Sequence, residues 1–175
     1  TSFDKGIPTL GAADSALSEL AYFNFSKDGL PTAEDEKVNA VENLERDATT
    51  GAAVFNGKSG NDSAMIELAD SITAELKKSS KVVMETVIKG YASPGHGVVA
   101  SVGVAGDKIA LAGLREGWKV KTQKTESTSN ALPYAQWTKV KWVFSKYTGV
   151  QIYADDVLVA ENANEKQALA DLEGT

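Results

Sequence analysis

From Lys81 onward apolar and polar positions alternate with a period of two, and breaks rich in glycine, aspartate and serine separate the alternating runs. That pattern predicts strands joined by short turns. KVVMETVIKG sets Val82, Met84, Thr86 and Ile88 on one face and Val83, Glu85, Val87 and Lys89 on the other. After YASPGHG come VVASVGV, a turn expected at Gly106-Asp107, and KIALAGL. A second turn at residues 114–117 leads to WKVKTQK, and a polar loop, TESTSNALPYAQ, follows. Then WTKVKWVFS puts Thr138, Val140, Trp142 and Phe144 on one face, with Trp137, Lys139, Lys141 and Val143 opposite. The chain turns at residues 146–149, runs through VQIY, turns again at residues 154–156 and returns as VLVA.

The first eighty residues carry a weaker pattern. AYFNF and AAVFNG cluster aromatic and β-branched residues and read as short strands. EDEKVNAVENLERD places Val38, Val41 and Leu44 at helical spacing behind an acidic start, which fits a helix or a solvated loop. DSITAELKK reads as a short helix capped by Asp70 or Ser71, and a further helix is expected over 163–175. The expected architecture is all-β: one antiparallel β-sandwich domain spanning 1–175, with residues 1–20 as an N-terminal extension and one to three short helices in the connections.

Composition narrows the function classes. With 42% hydrophobic and 24% charged residues the chain has the balance of a globular protein, and it has no apolar run long enough to cross a bilayer. The net charge of −6, with lysines and arginines dispersed, argues against a groove that tracks nucleic-acid phosphates. Cysteine is absent, which removes disulfides, thiolate nucleophiles and thiolate metal sites. The start at Thr1, without an initiator Met or a signal-like stretch, fits a mature segment of a longer protein.

A Trp opening a strand, an alternating run, a turn, and then a hydrophobic-Tyr-x-Asp-x-hydrophobic strand resembles the late hairpin of laminin G-like and concanavalin A-like lectin/glucanase domains. The carriers here are Trp137, Val140, Trp142, Val150, Ile152, Tyr153, Asp155, Asp156, Val157 and Val159. The family usually has glycine where this chain has Asp156, a position that aspartate fills better than most residues. FNFSKDG resembles the family's first strand, AAVFNGKSG its Phe-x-Gly segment and KVVMETVIKG its central strand, so the resemblance runs from Tyr22 to Asn162. ANEKQALADLEGT does not resemble the usual closing strand. That segment is missing, rearranged or replaced by a helix.

The resemblance implies a concanavalin A-like jelly roll and a carbohydrate-binding role. It does not bring the paired glutamates of the glucanases, because no Glu-x-Asp-x-x-Glu occurs and the pairs Asp35/Glu36 and Glu42/Glu45 read as solvated faces. A Ser-His-Asp arrangement would have to use His96, the single histidine, in a glycine-flanked loop. Sugar binding needs aromatic faces with a few polar groups to fix hydroxyls. Trp118, Tyr91 and Tyr134 lie in or beside turns, with Arg115 and Glu116 next to Trp118, and an arginine there suits a sugar carboxylate. The plainer reading makes Arg115 and Glu116 a charged hairpin tip and packs Trp118 in the core. Sandwich domains of this kind often hold a structural calcium ion, for which Asn61, Asp62 and Asp155 are the oxygen ligands on offer, although Asn, Asp and Gly are also what turns are made of.

The expectation is therefore a non-catalytic carbohydrate-binding or adhesive module, extracellular or at the cell surface, within a larger multidomain protein. Its partner would be a glycan or polysaccharide, and its cofactor none beyond that structural Ca2+. Two alternatives stay open: a structural or protein-interaction domain of a surface assembly, and a polysaccharide hydrolase or lyase with an atypical carboxylate or tyrosine site.

Overall fold

The computed structural model describes residues 17–55, 64–89, 97–104, 107–114, 117–121, 126–128 and 136–166, with residues 97–128 described through their backbone. The chain divides into two compact units, one of Thr1–Ile7 with Gly11–Glu75 and one of Pro8–Leu10 with Leu76–Thr175. Strands dominate, every described pairing is antiparallel, and no described helix is long and apolar enough to cross a membrane.

In the first unit, α1 (Phe25–Asp28) is a single turn. It stands where FNFSKDG was expected to be a strand. Asn24 decides this: its Oδ1 accepts the Lys27 N–H at 3.1 Å and the Ser26 hydroxyl at 2.9 Å, while Gly29 at φ 81 ends the turn. A capped turn thus overrides the β preference of the two phenylalanines. β1 (Val38–Glu42) and β2 (Leu44–Arg46) replace the helix or loop expected for EDEKVNAVENLERD. β1 pairs with β4 (Met65–Leu68), setting Val38 against Leu68 and Val41 against Ile66, and β2 pairs with β3 (Ala53–Phe55). Asn43, at φ 54, lies between β1 and β2. The valine spacing that fits a helix equally fits a bulged strand, and the distant partner β4 decides between them.

Helix α2 (Asp70–Lys78) forms as expected, acidic at its start and basic at Lys77 and Lys78. Asp70 does not cap it. Ala69 precedes the helix and accepts the Ile72 and Thr73 N–H groups, while the Asp70 carboxylate receives the Asn39 side-chain amide at 2.8 Å.

The second unit holds two four-stranded sheets. One runs β12-β11-β10-β5, from β5 (Lys81–Lys89), β10 (Trp137–Ser145), β11 (Gly149–Ala154) and β12 (Val157–Asn162). The period-two reading holds here for Thr138, Val140, Trp142 and Phe144, which are all buried, although Val143 on the opposite face is buried too. Val140, Trp142, Phe144, Val150, Ile152 and Ala160 form the buried core, and Leu76, Val82, Met84, Ile88 and Val159 pack on it. Trp142 and Phe144 are 4% and 2% exposed, the core positions their alternation predicted.

The second sheet runs β6-β7-β8-β9, from β6 (Gly97–Val104), β7 (Asp107–Leu114), β8 (Gly117–Lys121) and β9 (Glu126–Thr128). β9 lies in what was expected to be a polar loop. Val104 pairs with Asp107, so Asp107 belongs to the strand and the link is residues 105–106, one place earlier than expected. Strand β12 approaches β8 and β9, and β11 approaches β8.

Two turns of the first sheet set its register. Ser145 pairs with Gly149, and its hydroxyl accepts the Tyr147 and Thr148 N–H groups at 3.1 and 3.3 Å. Ala154 pairs with Val157 across Asp155 and Asp156, whose φ values are 46 and 68. Positive φ at both central residues defines the primed turn that matches strand twist. The expected turn is present, and its two aspartates occupy left-handed positions more often filled by Asn-Gly.

Candidate functional site

Three of the five residues singled out for ligand binding, Arg115, Glu116 and Trp118, fall where β7 passes into β8. Leu114 pairs with Gly117, so Arg115 and Glu116 are the two-residue link between the strands. Trp118 follows as the second residue of β8, in register with Gly113. Arg115, Glu116, Tyr91 and Tyr134 themselves lie outside the described residues, as do His96, Asn61 and Asp62. The sequence puts an arginine, a glutamate and a tryptophan within four consecutive positions at this end of β7 and β8. That set can offer a bidentate cation, an acceptor and an aromatic face.

Asp155 is described, and its carboxylate is engaged in the turn. Oδ1 accepts the backbone N–H of Lys139 at 2.9 Å, and the neighbouring Asp156 carboxylate receives the Lys139 ammonium at 3.0 Å. Lys139 is held above the ordinary lysine pKa of 10.5 chiefly by that hydrogen bond to Asp156. Desolvation works against the shift, and the charges of Asp156, Glu85 and Asp155 add to it. Among the described residues no group of three His, Cys, Asp or Glu side chains gathers to hold a metal ion.

The face of the first sheet opposite that core mixes Val83, Val87 and the buried Val143 with Lys139, Lys141, Gln151 and Tyr153. Lys141 stands 4.8 Å from the Tyr153 ring centroid, and the Tyr153 hydroxyl donates to Gln151 at 3.3 Å. Both contacts follow from the register, which sets Lys141 opposite Tyr153. At the edge of the same sheet Val157 and Leu158 are 63% and 45% exposed.

The first unit contains an open cavity of about 510 Å³ that sequence reading missed. Tyr22, Phe23, Leu30 and Pro31 supply its apolar wall, and Asn24, Asp28, Glu34 and Asp35 its polar groups. Its lining joins the residues flanking α1, Tyr22 to Asn24 and Asp28 to Pro31, with the turns at Thr32 and Asp35. Those turns are held by Asp35 N–H to the Thr32 carbonyl at 3.0 Å and by Lys37 N–H to Asp35 Oδ1 at 2.9 Å. The signal that could have found it is the pairing of an N-capping Asn24 with Gly29 five positions on, which marks one helical turn. The Tyr22 side chain is 57% exposed, and its hydroxyl is 3.5 Å from the Asn24 amide nitrogen.

No protein-family model matches this chain, and no curated protein matches it either.

Proposed function

We propose that this chain is a non-catalytic carbohydrate-binding or adhesive module of a larger extracellular protein, built as a concanavalin A-like β-sandwich around its two four-stranded antiparallel sheets. Arg115, Glu116, Trp118, Tyr91 and Tyr134 are its ligand residues in this reading. The observation that supports it best is the antiparallel pairing of Leu114 with Gly117, which are separated in sequence by Arg115 and Glu116 and stand just before Trp118. Such a stretch offers an arginine to a sugar carboxylate and an indole to a sugar face.

A glycan array, followed by Trp118→Ala on any hit, tests the proposal. Binding that Trp118→Ala weakens without lowering the melting temperature upholds it, and silence across neutral, acidic and amino glycans sinks it. A chelator tests the structural calcium ion by itself: a lowered melting temperature keeps the ion in the proposal, and an unchanged value removes it.

A second reading, a structural or protein-interaction domain of a surface assembly, draws support from the exposed Val157 and Leu158 on the terminal strand β12. Apolar side chains at a sheet edge suit a protein partner better than a sugar. Loss of self-association or partner capture in Leu158→Lys, together with a silent glycan array, would favour it.

A further inference from the structure

The cavity of the first unit has a chemistry of its own, distinct from the Arg115–Trp118 hairpin. Its volume, about 510 Å³, falls in the range of small-ligand sites. Carboxylates alone would mark only a solvated turn. Here they share a concavity with Tyr22, an aromatic side chain more than half exposed although it stands among apolar neighbours. Open space adjoins Gly29, where a Cβ would meet nothing within 4 Å. Asn24 spends its Oδ1 on the Lys27 N–H and the Ser26 hydroxyl and keeps its amide hydrogens on the Tyr22 side.

Charge sets the ligand class. Asp28, Glu34 and Asp35 line the cavity, and no Lys, Arg or His is among the described residues that line it. Lys27 precedes Asp28 in sequence without joining the lining, and the Arg46 guanidinium is turned to the Phe25 and Ser26 carbonyls at 3.4 and 2.9 Å. An acidic sugar would be repelled there, and a cationic one attracted. An exposed tyrosine beside carboxylates suits a flat ring bearing an ammonium, with C–H groups toward the phenol and hydroxyls toward Asn24 and Asp28.

We infer that this cavity binds an amino sugar with a free amine, with Tyr22 as the stacking platform and Asp28, Glu34 and Asp35 as the counter-charge. The inference rests on the glycan-binding reading above and names a second subsite and its ligand class. The test is calorimetric titration of the full chain with three tetrasaccharides: glucosamine, N-acetylglucosamine and galacturonic acid. Of the three, the free-amine sugar is the one whose binding depends on Tyr22, and raising salt to about 0.5 M weakens it, because the attraction is between partly exposed charges.

Tyr22→Ala and Asp28→Asn each weaken binding of the free-amine sugar about tenfold, the scale of one lost ring or charge contact, whereas Tyr22→Phe, which keeps the ring, restores it. Melting curves of each variant separate lost folding from lost contact. Equal binding of the acetylated sugar, or an unchanged Tyr22→Ala with the free-amine sugar bound, overturns the inference. Glycan binding abolished by Trp118→Ala but not by Tyr22→Ala overturns it while leaving the proposed function standing. Binding of a lysine oligopeptide at Tyr22 without any sugar binding assigns the cavity to a protein partner and also overturns it.

Discussion

Lys139 and Asp155 are bonded to each other twice: the Lys139 N–H donates to Asp155 Oδ1 at 2.9 Å, and the Asp155 N–H donates to the Lys139 carbonyl at 2.8 Å. The ladder of β10 with β11 stops at Val140 and Ala154, so this exchange extends it by one step beyond the last strand pair. A side-chain oxygen takes the place of a backbone carbonyl because Asp155 has left the extended region for φ 46.

Asp155→Ala should therefore lower stability by about 1–2 kcal/mol, combining a lost acceptor with alanine's poorer tolerance of the left-handed region. Asp155→Asn keeps the acceptor and the tolerance for that region, and should stay within about 0.5 kcal/mol of the native value. Urea unfolding monitored by tryptophan fluorescence distinguishes the two. Equal losses would mean that the Lys139 bond contributes nothing.

The same hairpin predicts a pH effect of fixed sign. Lys139 has its pKa raised in the folded chain by its hydrogen bond to Asp156. A raised lysine pKa contributes stability fully below the unfolded value and loses it as pH climbs through the folded one. Stability of the native chain relative to Lys139→Met should thus be constant at neutral pH and shrink above the ordinary lysine value of 10.5. A difference that instead changed between pH 6 and 8 would assign the effect to another group.

Gly149 sits at φ 86, and a Cβ on it would overlap the Asn162 carbonyl oxygen and stand 2.9 Å from the Ala163 Cα. Both neighbours are backbone, which cannot swing aside as a flexible side chain can. Gly149→Ala should cost about 2 kcal/mol or more, from the strained dihedral and the displaced β12 terminus together. Thermal unfolding measures it, and a loss under 0.5 kcal/mol would show that the end of β12 yields easily.

Trp142 is buried in the core, and its Nε1 has no hydrogen-bond partner among the described residues. An unpaired buried N–H costs about 1–3 kcal/mol, so Trp142→Phe should lose less than about 1.5 kcal/mol despite the smaller ring. Phe144→Ala, which removes apolar volume with no polar compensation, should lose about 3–5 kcal/mol. Near-equal losses would indicate that the indole N–H is satisfied.

Arg46 ties together segments distant in sequence, donating from Nη2 to the Ser26 carbonyl at 2.9 Å and to the Phe25 carbonyl at 3.4 Å, and from Nε to the Gly51 carbonyl at 3.5 Å. Only a planar fork reaches these acceptors at once. Arg46→Lys should accelerate amide exchange at Asp28 and Gly29, whose N–H groups close α1, while leaving β10 and β11 unaffected. Uniform exchange in native and variant chains would assign no holding role to the guanidinium.

Alternation by itself determined β5, β10, β11 and β12, their buried faces and the turns between them. In a pleated strand every second side chain points the same way, so the sequence already contains the face. It also predicted α2 and the left-handed turn at Asp155-Asp156, both governed by neighbours a few positions apart.

What the sequence could not settle depends on distant partners. Val38, Val41 and Leu44 became strand because β4 and β3 were there to pair with them, and the stretch around Phe25 became a helical turn because a cap outweighed two aromatic side chains. The cavity at Tyr22 is lined by the residues flanking that turn, so it is invisible to any reading that keeps FNFSKDG extended. Period and propensity act along the chain, whereas hydrogen-bond partners and enclosed space are set by residues that only folding brings together.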